Sequence, residues 1–176
     1  MALPSAHSTD LYSIGKGILK FDRFDADGLP TGLRDLGNAP SFTLTPSADV
    51  LEHYSSREGV DTLDWERDLK RKINGKFTLD EFDPENLRLA LFAETGSFSL
   101  ELLTAGNILG MLDFIGTNDV GPRYHVELWS VKLKPSSEVA FISDALGVVD
   151  FEFTIQSDAA NHPESPYGRI TLIGES

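Results

Sequence analysis

The feature that most constrains the fold is a stretch of alternating polarity at residues 65–79. Its apolar members share one parity: Trp65, Leu69, Ile73, Phe77 and Leu79. The other parity is polar throughout: Glu66, Asp68, Lys70, Lys72, Asn74, Lys76 and Thr78. Alternation with period two predicts one long β-strand with a wet face, or a hairpin that turns at Asn74-Gly75. A single strand of this length would extend beyond a small sandwich, and such strands can pair between subunits.

A strong helix start follows this strand directly. Asp83 suits the N-cap, Pro84 the first helical position, and Glu85 complements the positive end of the helix dipole. The remaining features predicted for this helix are a Phe82–Leu87 staple, an apolar stripe of Leu87, Ala90 and Leu91, an outward Arg88 and a stop at Gly96. The helix is either a plug on a β-sandwich or barrel, or an ordinary helix of an α+β domain.

Other apolar segments predict further strands. They occupy residues 12–24, 41–45, 50–54, 97–104, 107–117, 123–134, 147–156 and 169–173. Residues 136–146 fit either a helix or a strand. About eight to ten strands with sandwich-like turn spacing predict a mainly β fold. We therefore expect a sandwich or barrel of two packed antiparallel sheets with one short flanking α-helix.

The chain length predicts a single domain. Its 176 residues are enough to bury a substantial core, so the domain is expected to span 1–176. Residues 1–11 read as a polar N-terminal arm. Residues 55–63 are predicted to form a long loop, because they are polar, contain Gly59 and show no periodicity.

Composition excludes several classes of protein. With no cysteine, the chain has no disulfide framework, thiol nucleophile or sulfur-based zinc site. A net charge of −13 disfavours direct nucleic-acid binding, because an acidic surface repels phosphate. The basic cluster in the sequence is Arg67, Lys70, Arg71, Lys72 and Lys76. The first residues lack the regions of a signal peptide and no apolar run approaches a membrane span, so we expect assembly in a cytoplasm.

Motifs for catalysis or metal binding are weak, and we expect no enzyme, cofactor or metal site. The four histidines are scattered and read as isolated: His7, His53, His125 and His162. No nucleophile elbow surrounds Ser55 and Ser56, and no phosphate-binding loop occurs. Asp80, Glu81 and Asp83 could form a paired-carboxylate site, but their position at a helix entry favours capping. The acidic turn at residues 25–28 lacks the ligand ladder of a calcium loop.

The order of these elements resembles a known family. A glycine-bearing first strand at 14–22 precedes the turn Asp35-Leu36-Gly37-Asn38. A strand then leads into residues 53–59, and Thr78-Leu79-Asp80-Glu81-Phe82 enters the short helix. In this combination the chain resembles the major tail tube protein of long-tailed, non-contractile (siphovirus-type) bacteriophages. The resemblance covers residues 12–93. Beyond residue 93 it is limited to a high content of predicted β-strands.

The resemblance implies a structural virion protein that assembles in the host cytoplasm. Tail tube proteins of this kind form rings, usually hexameric, that stack into a hollow tube around a tape-measure protein. Terminator and distal tail proteins close the ends, and neighbouring strands join into one inner barrel. The lumen is acidic, so DNA passes during ejection without specific binding, which fits the net charge of −13.

Two sets of functional residues follow from the resemblance. The ring-to-ring stacking loop, residues 53–64, corresponds to His53, Tyr54, Ser55, Ser56, Arg57, Glu58, Gly59, Asp61 and Asp64, with Arg57, Glu58 and Asp61 pairing across rings. The candidate acidic lumen residues are Asp22, Glu66, Asp68, Glu127 and Glu152.

Two other functions are open at this point. One is a tail terminator or distal tail ring protein of the same fold, which would not stack indefinitely. The other is a monomeric β-sandwich that binds carbohydrate or a receptor. Such modules use an exposed aromatic platform, whereas Trp65 and Trp129 lie on strand patterns and are expected in the core.

Overall fold

The computed structural model describes residues 9–57, 59–95 and 99–174, and most of them belong to β-strands. A 3₁₀ turn at Thr9–Leu11 is followed by β1 (Gly17–Arg23), β2 (Arg34–Asp35), β3 (Ser41–Ser55), β4 (Thr62–Leu79), α1 (Pro84–Ala90), β5 (Glu94–Thr95), β6 (Leu100–Glu101), β7 (Ile108–Gly116), β8 (Arg123–Pro135), β9 (Val149–Ile155) and β10 (Arg169–Ile173). In the described residues, no helix is long and apolar enough to span a bilayer.

Eight of the strands form one antiparallel sheet in the order β2-β1-β7-β8-β9-β4-β3, with β10 also paired to β8. β8 is shared, because its first half pairs with β10 and its second half with β9. The sheet folds over so that Phe42 of β3 stacks on Phe114 of β7, with ring centroids 5.3 Å apart. The predicted mainly β fold with one short helix is confirmed, and its two packed layers are halves of one continuous sheet.

The core lies between these halves and is rich in phenylalanine. Phe77 of β4 stacks on Phe151 of β9 at 5.0 Å, and both rings are fully buried. Phe153 lies over Gly75, where an added Cβ would come within 2.1 Å of the ring. Gly75 is therefore a strand residue that makes room for an aromatic ring. The alternative hairpin at Asn74-Gly75 is wrong, and β4 is continuous.

We expect Gly75→Ala to destabilise the fold by about 1–3 kcal/mol, because the new methyl group overpacks against Phe153. Urea unfolding of the dispersed protein measures this change. Gly59→Ala is the matched control, since nothing lies within 4 Å of a Cβ added there. Equal unfolding midpoints for the two variants would contradict the packing at Gly75.

The helix begins as predicted, but the centre of its buried face differs from the centre of the predicted apolar stripe. The Asp83 carboxylate accepts a hydrogen bond from the Asn86 amide at 2.8 Å, and Pro84 opens the helix. The buried helix residues are Asn86, Leu89 and Ala90. Of the predicted stripe, Ala90 is buried and Leu91 packs against the core, while Leu87 is only half-buried. The pattern missed Asn86, because Asn86 is a buried polar residue and apolar spacing cannot show it.

The helix ends without glycine. Leu91 is the C-cap, Phe92 takes a left-handed φ of 48°, and the Ala93 amide donates to the Arg88 carbonyl at 3.0 Å. This is the bond of a Schellman motif, and the last helical residue, Ala90, lies six residues before the predicted stop at Gly96. Gly96 itself lies outside the described residues. Arg88 does not point away but binds Glu85 and Glu94. Phe82 lies against Gly147, and its staple with Leu87 stays a prediction.

Several strand and loop boundaries in the structure differ from the predicted ones. The segments at 41–45 and 50–54 merge into β3, an edge strand that continues through Pro46, as its place at an edge allows. The predicted strand at 97–104 reduces to the short β6 within the described residues. Residues 136–146 contain neither a helix nor a strand. The loop predicted at 53–64 is shorter, because strand pairing continues to Ser55 and Thr62.

Candidate interaction surface

β3 and β4 continue past the core as a two-stranded ribbon, which we define as residues 47–72. Their pairing runs from Ser47 and Lys72 out to Ser55 and Thr62. β9 supports β4 only from residue 74 onward, and β3 pairs with β4 alone. Among the described residues, the ribbon therefore has no strand partner on either edge.

Both faces of the ribbon are open to solvent. From residue 48 to residue 72, every described residue except Ser55 is exposed. Seven of them are large and apolar, with exposures of 42–76%: Val50, Leu51, Tyr54, Val60, Leu63, Trp65 and Leu69. The prediction that Trp65 is a core residue is wrong, while Trp129 is buried as predicted. An apolar surface of this kind marks an interaction site or an aggregation liability.

The β-bulge at Leu69 determines which face of the ribbon Trp65 lies on. Leu69 and Asp64 have no pairing partner on β3, so the alternation of faces along β4 shifts at each of these residues. Ile73 pairs with Pro46, whereas Trp65 pairs with His53, a residue of opposite parity on β3. Trp65 therefore lies on the face opposite Ile73, and both faces of the ribbon carry apolar side chains.

The predicted stacking loop becomes the end of this ribbon. His53 Nδ1 contacts the Asp64 carboxylate at 2.5 Å across the strands. The Tyr54 hydroxyl donates to Glu52 at 2.7 Å, and this bond raises the pKa of Tyr54. The turn itself spans residues 56–61, of which Glu58 lies outside the described residues. Within the described part of the chain, Arg57 and Asp61 form no ion pair, so both are available to a second molecule.

The candidate lumen residues do not share one surface. Asp22 is buried, and its Oδ1 accepts hydrogen bonds from the Thr31 and Gly32 amides at 2.8 and 2.9 Å. A lumen role for Asp22 is therefore wrong, since its carboxylate holds a turn. Glu127 binds Arg169 at 3.1 Å, and its side chain is only 18% exposed.

The other three candidates lie on or near the ribbon. Glu66 and Asp68 are exposed ribbon residues, and Asp68 binds Arg71 at 2.6 Å. Glu152 binds Lys76 at 2.7 Å, and this hydrogen bond lowers the pKa of Glu152. That Glu66, Asp68 and Glu152 face a lumen stays a prediction.

One face of the sheet at the base of the ribbon is hydrophilic and rich in lysine. Strand pairing places Lys76, Glu152 and Lys134 in one row and Asn74, Thr154 and Lys132 in the next. We call the exposed lysines of this surface the lysine face: Lys70, Lys72, Lys76, Lys132 and Lys134. The sequence cluster contained the first three, while Lys132 and Lys134 join them through β9.

A cavity of about 740 Å³ lies between β1 and α1. Its arginines are already engaged, because Glu94 binds both Arg23 and Arg88 at 2.7 and 3.3 Å. Arg34 reaches Asp83 at 3.2 Å. This network ties α1 to the sheet.

Three histidines are paired with aspartates, so the prediction of isolated histidines is wrong for them. His53 contacts Asp64, His125 contacts Asp113, and His162 contacts Asp158 at 2.9 Å. The last bond lowers the pKa of Asp158, and the His162 ring stacks on Trp129. His7 lies outside the described residues. These pairs cross strands or close a loop, and scattered positions in a sequence cannot show them.

One group could hold a divalent cation. Ligand atoms of Asp113, His125 and Glu127 lie within 4.8 Å of one another. Asp113 already contacts His125, and Glu127 accepts from Arg169. The three side chains are thus already engaged by contacts within the chain.

The family model described as "Protein of unknown function UCP028589" matches residues 12–99, half of the chain, and the chain belongs to that family. No curated protein matches the sequence.

Among solved structures, the chain is similar to components of three assemblies. One comes from an extracellular contractile injection system, the PVC sheath–tube complex in its extended state, with 11% identity, 88% of both chains covered and a TM-score of 0.43. Another comes from the tail of an empty GTA particle with C6 symmetry, with 12% identity, 97% and 100% covered and a TM-score of 0.44. A third comes from the anti-feeding prophage baseplate, with 10% identity, 99% and 98% covered and a TM-score of 0.42. At these TM-scores the likeness carries no argument about function.

Proposed function

We propose that this chain is the structural subunit of a phage-type tail tube, in which copies form rings that stack. The observation that carries the proposal is the ribbon, residues 47–72, which is exposed on both faces and unpaired on both edges among the described residues. An isolated two-stranded hairpin is marginally stable in water. A ribbon of this length is therefore expected to gain its order from a second molecule.

Apolar burial supplies the driving force for that contact. Fully burying a Val, Leu or Phe side chain contributes about 1.5–3 kcal/mol. The free energy gained by burying the seven exposed apolar residues of the ribbon together approaches the cost of association, which is about 4–15 kcal/mol. Because β3 also offers free backbone donors and acceptors, strand pairing with a neighbour adds hydrogen bonds.

The position of the ribbon favours a polymer. A projection that docks on a different part of its neighbour makes a heterologous contact, which generates closed rings or open stacks. The sequence resemblance to tail tube proteins supports rings, six-fold in that family, with the end of the ribbon at the contact between rings. The tape-measure protein, the terminator and distal tail proteins would be the partners of such a tube, and a virion its location.

An acidic lumen is part of the proposal. The net charge of −13 would keep DNA from adhering to the wall during passage. Glu66 and Asp68 are the candidates that combine exposure with a place on the proposed inter-subunit element.

Hydrogen exchange tests whether the ribbon is the assembly element. In dispersed protein, amides of the ribbon are expected to exchange fast, because few contacts hold it; in assembled protein they should become protected. The control segment is β9, whose buried strand should be protected in both samples. Ribbon amides that exchange equally fast before and after assembly would contradict the proposal.

A further inference from the structure

Charge is divided along the ribbon. Its outer part, residues 50–66, which we call the tip, has five carboxylates and one arginine, a net charge of −4. Its inner part, residues 47–49 and 67–72, which we call the root, has four basic and two acidic residues, a net charge of +2. The ribbon is thus acidic where it ends and basic where it leaves the core.

The root continues into the lysine face. Five lysines share that surface with Asp49, Asp150 and Glu152, so it is positive in a chain of net charge −13. Only Lys76 forms an ion pair among the described residues. The other four lysines are exposed and carry no such bond. Five lysines and three carboxylates leave this surface with a net charge of +2, and a positive surface on an acidic protein fits an anionic partner.

We infer that the acidic tip of one copy docks on the lysine face of the next copy, an inference that rests on the proposed function. Tip against tip and root against root bring like charges together, whereas tip against root brings unlike charges together. The contact is heterologous, so it repeats from copy to copy. Long lysine side chains also cover apolar surface with their methylene stems, which suits the apolar residues of the tip.

Asp61 and Lys72 provide the sharpest test. Both are exposed, and neither forms an ion pair among the described residues. Asp61→Lys and Lys72→Glu should each raise the critical concentration for assembly by about tenfold or more, because each places like charges in the contact. The double variant D61K/K72E has the wild-type net charge and should assemble within about threefold of wild type. Lys16→Glu, at an exposed position outside the ribbon and lysine face, is the net-charge control for Lys72→Glu, and Asp144→Lys, also exposed and outside both, is the control for Asp61→Lys.

The outcomes separate the inference from the proposed function. Wild-type assembly with each single variant behaving like its own net-charge control overturns the inference and leaves the function standing. Failure of the double variant to recover, with a native circular dichroism spectrum, also overturns it. A wild-type protein that never assembles refutes the function itself.

DNA is the other anionic partner to be measured. Binding of duplex DNA at about 0.1 M salt that Lys72→Glu abolishes, with assembly unaffected, would assign the lysine face to phosphate and overturn the inference. We expect no DNA binding by wild type, and an assembly that weakens as salt shortens the screening length.

Discussion

Replacing residues 50–69 by Asn-Gly is expected to give a folded monomer that forms neither rings nor tubes. Asp49 pairs with Lys70, so a two-residue turn between them keeps the register of β3 and β4. The deleted residues, apart from the half-buried Ser55, are exposed where described, and they contribute none of the buried core. Stability should therefore stay within about 1 kcal/mol of wild type, because surface changes rarely cost more. Light scattering and urea unfolding measure the two properties.

The smaller deletion of residues 55–61 gives a matched comparison. It removes the turn but keeps most of the apolar surface, so it isolates the role of the predicted stacking loop. Normal tubes from the 50–69 replacement would refute the assembly role of the ribbon. Tubes from the smaller deletion alone would assign that role to the ribbon's strands rather than to its turn.

The second large effect concerns the core. Phe151→Ala removes a fully buried ring that stacks on Phe77, and it should cost about 3–5 kcal/mol. Domains of this size have a free energy of unfolding of only about 5–15 kcal/mol. The melting temperature of the variant should therefore fall by about 10 °C or more. Thermal unfolding of the dispersed protein measures the change.

Trp65→Ala is the control for Phe151→Ala. Its ring is 48% exposed on the ribbon, so the variant should unfold like wild type and yet assemble poorly. The two substitutions thus separate folding from assembly. Equal loss of stability in both variants would contradict the division between core and ribbon.

The sequence predicted the elements better than it predicted which faces are covered. Period two in β4 and the Asp83-Pro84 start of α1 are local signals, and both were confirmed. Trp65 was misplaced because the ribbon extends past the core, and a bulge at Leu69 also turns it to the face opposite Ile73; polarity alone shows neither feature. The pattern also cannot say whether an apolar face is buried by its own chain or by another.

The sequence also could not predict polar contacts between residues that lie far apart in the chain. Asn86 is buried and donates to the Leu36 and Glu81 carbonyls at 3.0 and 3.1 Å. Asp22 binds a turn nine and ten residues away. Asp22 was predicted at a lumen surface and Asn86 was not predicted in the core, because the partners of both are fixed by tertiary structure. The lysine face was likewise visible only after β9 joined β4 to β8.

Electron microscopy of the purified, concentrated protein tests the central claim most directly. We expect hollow tubes of stacked rings for wild type and none for the 50–69 replacement. Single rings that never stack would assign the chain to a terminator or distal tail ring instead. Monodisperse monomers at every concentration, with the ribbon intact, would contradict the claim that this chain builds a tube.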